Sequence, residues 1–224
     1  MDTAAEDLDD LIRRVDPERW LSSRFIADEA ARTDVIALYA FDHELARAPR
    51  VASNPLLGEI RLTWWREMLD EAFEGRTVRR HPTAQALAAV IARRGLARGP
   101  LEAMIDARYR ELDLAPMTPL EGLDWARDCG GQTASLAVEI LDPTSASEMA
   151  LAAGSAWALS RKVTDTPELT SVFEQTLATA RTAVRHLSAP AFPAVAHLVL
   201  ASGPAKSEVA KRMRLTIAVA LGRI

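Results

Sequence analysis

The sequence predicts an all-α chain folded as a single domain over residues 1–224. Two observations carry that expectation. Nearly every break in the chain has the chemistry of a helix start or stop, and no stretch alternates apolar and polar residues with the Val, Ile, Thr and aromatic enrichment of a strand. A length of 224 residues is enough for one helical core, and neither an internal repeat nor a low-complexity linker divides it.

The elements follow in order. A first helix carries Leu38 to Arg50, and Pro49 should end or kink it, because proline lacks the N–H and clashes with the preceding turn. Asn54-Pro55 places a capping side chain before a proline, and Gly75 offers a left-handed stop, so a long helix spans Pro55 to Glu74. Leu57, Ile60, Trp64 and Met68 form one apolar stripe on it, and Leu62, Trp65, Leu69 and Phe73 a second. Such a helix should be central and covered on more than one side. Pro82 opens a helix to about Gly95, and Pro100 opens another carrying Leu101, Met104, Ile105, Arg108 and Leu112. Thr118-Pro-Leu-Glu121 and Ser145-Ala-Ser-Glu148 have the spacing of capping boxes, opening helices over Pro119–Leu141 and Ala146–Arg161. Gly130 and Gly131 inside the former each cost about 1 kcal/mol relative to alanine, which points to close packing, a kink or space for a ligand. Thr166-Pro167 starts a helix through Leu187, prolines 190 and 193 bound a short apolar one, and Gly203-Pro204 precedes a last helix to about Leu221.

Composition narrows the classes of function. Apolar residues make up 49% of the chain, yet no run approaches the roughly 18 that span a bilayer. The opening residues Asp2, Glu6, Asp7, Asp9 and Asp10 are acidic where a targeting presequence is basic, which sets the expected location as cytoplasmic. Cys129 stands alone, excluding an internal disulfide and a multi-cysteine metal site. The four histidines lack paired ligand spacing, so zinc is not expected. With a net charge of -4 and no basic stripe, nucleic acid is not an expected partner.

Several segments carry a resemblance. Leu38-Tyr-Ala-Phe41, Ile60-Arg-Leu-Thr-Trp-Trp-Arg66, His81-Pro82 with Leu87, the stretch Met104 to Asp113, and Trp125 to Leu136 with its two glycines are similar to successive helices of the squalene/phytoene synthase family. The similarity runs from about Trp20 to Ala156. It implies a helical bundle of the isoprenoid synthase type, here shortened in its C-terminal part, since little room follows Pro167 for the family's basic loop and next helix. Family chemistry needs two facing Asp-x-x-x-Asp motifs, whose i, i+4 carboxylates share a helix face and hold magnesium against a diphosphate. Aligned on Tyr39-Ala-Phe41, the first pair of positions holds Ala46 and Arg50, neither able to ligate magnesium. The second pair falls on Thr164 and Glu168, with Asp165 one residue out of register.

The double loss, with Ala-Phe-x-x-Glu-Leu-Ala at Ala40 to Ala46, most resembles the family's non-catalytic branch of respiratory complex I assembly factors. The resemblance therefore implies a pseudoenzyme with no catalytic residues and no cofactor. It implies a protein partner, of which a complex I component is one, or an isoprenoid lipid, and peripheral association with a membrane. The alternative is an active prenyltransferase that condenses isoprenyl diphosphates with magnesium, through non-standard ligands or a partner subunit.

Individual side chains admit rival readings. Asp42 and Glu44 lie two apart and point away from each other on a helix, so a solvated face is expected rather than a metal pair. Asp106 and Asp113 share a face, with Arg110 placed to pair with Asp106 at i, i+4. Tyr39, Phe41 and Trp64 are core aromatics, as is Trp65, or else line a prenyl cavity with Gly130 and Gly131. Arg47 and Arg50 are solvated, or bind a diphosphate without metal.

Overall fold

The computed structural model describes residues 3–50, 54–201, 203 and 207–224, with side chains from residue 7 onward. All regular structure among them is helical. Two helices precede the first one expected, α1 (Thr3–Val15) and α2 (Pro17–Ser23). The signal for α2 was present in Asp16-Pro17, since the Asp16 carboxylate accepts from the Arg19 N–H at 3.3 Å and Pro17 sits at the first helical position. Next come α3 (Glu29–Arg50) and α4 (Pro55–Phe73), the latter capped by Asn54, whose side chain accepts from the Leu57 N–H at 3.1 Å. Gly75 follows with φ 70°, the left-handed stop that glycine supplies without a Cβ clash. Then α5 (Pro82–Arg94) and α6 (Arg98–Tyr109) pack beside α3.

The Thr118/Glu121 capping box forms with both arms and opens α7 (Pro119–Ala126). The second expected box does not form. Ser145 instead receives a hydrogen bond from the Ser188 N–H at 3.4 Å, a 3₁₀ turn covers Ser147–Ala150, and α9 (Leu151–Ser160) starts without a side-chain cap. Between α7 and α8 (Gln132–Leu141), residues Arg127–Gly131 wind as a π turn. The chain continues through α10 (Thr170–Ala183), 3₁₀ turns around prolines 190 and 193, and α11 (Glu208–Leu221). Pro204 lies outside the described residues.

The central helix is α3, not α4. It packs against α1, α2, α4, α5, α6 and α8, and its buried residues include Val35, Leu38, Tyr39, Phe41, Asp42 and Leu45. By contrast α4 buries mainly Leu62, Trp65, Met68 and Leu69, while Leu57 and Ile60 of the first expected stripe stand in solvent. Those two lie in the opening turns of the helix, and the same stripe is buried further along at Met68. Pro49 sits inside α3, which continues to Arg50; a proline so near the end removes one hydrogen bond without interrupting a long ladder.

His197 shows how the core sets a response to pH. It is 3% exposed, its Nδ1 has no hydrogen-bond partner among the described residues, and Trp157 meets it edge-on at 4.8 Å. Burial, followed by the fields of Arg19 and Arg161, holds its pKa well below the usual histidine range. The unfolded chain therefore binds a proton below about pH 6.5 that the folded chain refuses. Stability from this residue is complete above that pH and falls as the solution is acidified, by up to about 1.4 kcal/mol per pH unit. Urea unfolding at pH 7.5 and 5.5 should show the loss, and His197→Phe should flatten it. An unchanged slope in that variant would refute the assignment.

Candidate functional site

One face of α3 presents Tyr39, Asp42, His43, Ala46 and Arg50 to a cleft, because residues three, four and seven apart share a helix face. The facing walls come from α2 with Asp16 and Arg19, α6 with Arg108, the π turn with Cys129 and Gly130, and the end of α9 with Trp157, Arg161 and Lys162. The cavity holds about 120 Å³. Ordinary small-molecule pockets start near 300 Å³, so this one admits a small polar group rather than a folded prenyl chain.

The floor of the cleft is a closed ionic network. Asp42 is 6% exposed and accepts from Arg19 at 2.5 Å and from Arg108 at 2.7 Å. Arg108 also donates to Glu111 at 2.6 Å, and Glu111 accepts from Lys162 at 3.3 Å and from the Trp125 indole at 3.0 Å. Burial opposes the charged forms of Asp42 and Glu111, and the adjacent cations outweigh it, holding both below the usual carboxylate range. Burial likewise opposes the charge on Arg19 and Arg108, and their anionic neighbours raise both above the usual value. Asp16, which is 3.7 Å from Arg19, is the exception, because desolvation exceeds its pairing and pushes its pKa up.

The expectation of a solvated Asp42 is therefore corrected. Residue spacing showed that Asp42 and Glu44 cannot share an ion, and indeed Glu44 pairs with Arg47 at the surface; but the Asp42 side faces the core. The Asp106 pairing is corrected too. Asp106 binds Arg66 across to α4, and Arg110 reaches Asp113 at 3.8 Å and Glu121 at 3.3 Å, since the chain turns after Tyr109 and swings Arg110 away.

The anticipated cavity residues do not converge. Tyr39 and Gly130 line the cleft, and burial raises the Tyr39 phenol. Phe41 packs edge-on against Trp65 at 5.4 Å in the core. Trp64 lines a separate groove of about 210 Å³ with Arg47, Arg61 and His81. Gly131 lies against Leu151 and Ser155 of α9, where an added Cβ would come within 2.9 Å of the Ser155 hydroxyl. Cys129 is buried and its thiol is pushed up to about 12, so it is not a nucleophile at neutral pH.

Of the four positions aligned with metal ligands, Ala46 and Arg50 do face the cleft, whereas Thr164 and Glu168 are exposed and lie outside it. Their place on the facing wall is taken by Arg161 and Lys162. Those two continue the face of α9 that begins at Gly154 and Ala158, a signal readable at helical spacing. The donor set does not fit magnesium: Ala46 has no oxygen, Arg50 brings a positive charge, and both Asp42 oxygens are engaged by guanidinium groups. Among the described residues, no three His, Cys, Asp or Glu side chains converge as metal ligands do.

Comparison with known proteins places this geometry. The chain matches over 133 residues, at 28% identity, a bovine (Bos taurus) protein described as NADH dehydrogenase (ubiquinone) complex I, assembly factor 6. That match covers 59% of this chain and spans only 39% of the length of the relative. In three dimensions the fold is similar to a ligand-bound dehydrosqualene synthase, with a TM-score of 0.77 at 13% identity, covering 97% of this chain and 96% of the other. It is also similar to squalene synthase HpnC from Alicyclobacillus acidocaldarius, with a TM-score of 0.69 at 16% identity, covering 98% and 94%. Those likenesses establish the isoprenoid synthase fold, and residues 12–172 match the squalene/phytoene synthase family model. The chain belongs to the squalene/phytoene synthase family.

Proposed function

We propose that this protein is a non-catalytic member of its family and acts by binding a protein partner, as an assembly factor whose client is respiratory complex I. The observation that carries the reading is the make-up of the cleft: Ala46 and Arg50 on α3 face Arg161 and Lys162, and its buried carboxylates are bound to arginines. Diphosphate departure in such enzymes relies on metal ions that stabilise charge as the carbon–oxygen bond breaks. Here cations of the chain occupy that region, and the network beneath them is already neutralised. The assembly role rests on the bovine relative and inherits its partial coverage.

Two measurements test the proposal. Purified protein with magnesium and farnesyl or geranylgeranyl diphosphate should release no pyrophosphate above background. Metal-dependent turnover, alone or with a copurifying subunit, would instead establish a working prenyltransferase. In its own cells, loss of the chain should reduce assembled complex I on native gels, and re-expression should restore it. Normal assembly without the chain would remove complex I as the client.

A further inference from the structure

Helix α11 is held to the body by Leu215 and Ala218, both buried, while Arg214 donates to the backbone carbonyls of Val199 and Gly203. Its outer face runs Val209, Met213, Ile217 and Leu221, exposed by 75, 59, 51 and 64%. The spacing of four places them along a single ridge roughly 20 Å long. Large apolar side chains in water on consecutive turns are costly unless something covers them.

The charges beside the ridge say what covers it. Residues 207–224 hold Lys211, Arg212, Arg214 and Arg223 against the single carboxylate Glu208, in a chain whose net charge is -4. Arg212, next to Met213, and Arg223, just past the left-handed Gly222 that ends the helix, are exposed and have no ion-pair partner among the described residues. A helix of 14 residues with this charge is too short and too polar to cross a bilayer. An apolar ridge with unpaired arginines beside it and at its end matches instead the boundary between acyl chains and anionic headgroups.

We propose that α11 docks this protein on an anionic lipid surface, with the Val209–Met213–Ile217–Leu221 ridge below the headgroups and Arg212 and Arg223 at the level of the phosphates. The proposal is independent of whether the cleft is catalytic.

Flotation of the full chain with vesicles of equal parts phosphatidylglycerol and phosphatidylcholine tests it. Binding should exceed that to pure phosphatidylcholine and should weaken as salt is raised. Met213→Ser with Ile217→Ser should reduce affinity at least tenfold, and Arg212→Gln with Arg223→Gln about thirtyfold. All four side chains are exposed, so the melting midpoint should stay close to that of the parent. Leu120→Ser with Leu123→Ser, also exposed apolar residues but on α7, should leave binding unchanged. No flotation, equal binding to neutral vesicles, or equal losses in the α7 variant would overturn the proposal. So would a dimer in solution that the Met213/Ile217 variant dissociates while vesicle binding persists, since a second copy would then cover the ridge.

Discussion

Replacing Asp42 by alanine is expected to destabilise the fold by about 3 kcal/mol or more. For a chain of this size that corresponds to a fall of roughly 6–12 °C in the melting midpoint. The reason is charge balance in a dry place. Asp16, Asp42 and Glu111 face Arg19, Arg108 and Lys162, and Asp42 bridges the two buried arginines. Its removal leaves an uncompensated positive charge out of water. Arg19 retains Asp16 and Arg108 retains Glu111, which places the cost at the lower end of the range for broken buried pairs. The double change Asp42→Leu with Arg108→Met leaves Asp16 and Glu111 against Arg19 and Lys162 and should recover much of the loss, because well-packed apolar groups often match a buried ion pair. Urea unfolding of the single and double variants decides the matter. A stability of Asp42→Ala within about 0.5 kcal/mol of the parent would show that the network does not hold α2, α3 and α6 together. The pH dependence has a definite sign: the folded Asp42 pKa is depressed, so its contribution is complete above about pH 4 and is lost as the pH falls through the folded value.

The second large effect is expected at Gly154. An alanine Cβ there would run into the Gly130 carbonyl of the π turn and lie 2.7 Å from the Ala134 Cβ, and the reciprocal change at Gly130 would strike the Gly154 carbonyl. Both obstacles are backbone or directly attached to it, so relief requires α9 and the π turn to move apart. Overpacking of this kind costs about 1–3 kcal/mol, sometimes more, and it should exceed the gain of about 1 kcal/mol from better helix propensity. Gly154→Ala should therefore lower stability by roughly 2 kcal/mol. The same substitution at Gly99, in the first turn of α6 with nothing near its missing Cβ, meets only the strain that Pro100 places on the helical residue before it, and should cost less than at Gly154. Thermal unfolding of the two variants should show the larger loss at Gly154 if close approach is the cause. A neutral Gly154→Ala would show that the glycines serve another purpose.

Much of the architecture was legible because helix ends are written in local chemistry. Asn54-Pro55, Pro82 and Thr118 with Glu121 each satisfy or dispense with orphan backbone donors within a few residues, so no distant contact is needed to place them. Ser145 failed as a cap because Ser188, far along the chain, donates to its hydroxyl. The site was partly legible in the same way. Ala46 and Arg50 face the cleft because four residues make about one turn of helix. Asp42 and Arg108 were misread or passed over, although each interrupts an apolar face, between Leu38 and Leu45 on α3 and between Ile105 on α6 and Leu112 in the turn after it. Opposite charges set into two apolar stripes are the trace that a buried pair leaves in a sequence, and it becomes a pair only when the helices meet.

The sequence by itself determined the helical class, most helix boundaries, the family resemblance and the identity of the residues at the aligned metal positions, because propensity, capping and spacing are local properties. Tertiary structure alone decided that α3 is the centre, that Arg161 and Lys162 occupy the wall opposite Ala46 and Arg50, and that the α11 ridge is left in solvent. The physical reason is that burial, and with it the cost or reward of a charge or an apolar group, depends on which helices face each other, and that is set by contacts between residues far apart in the chain.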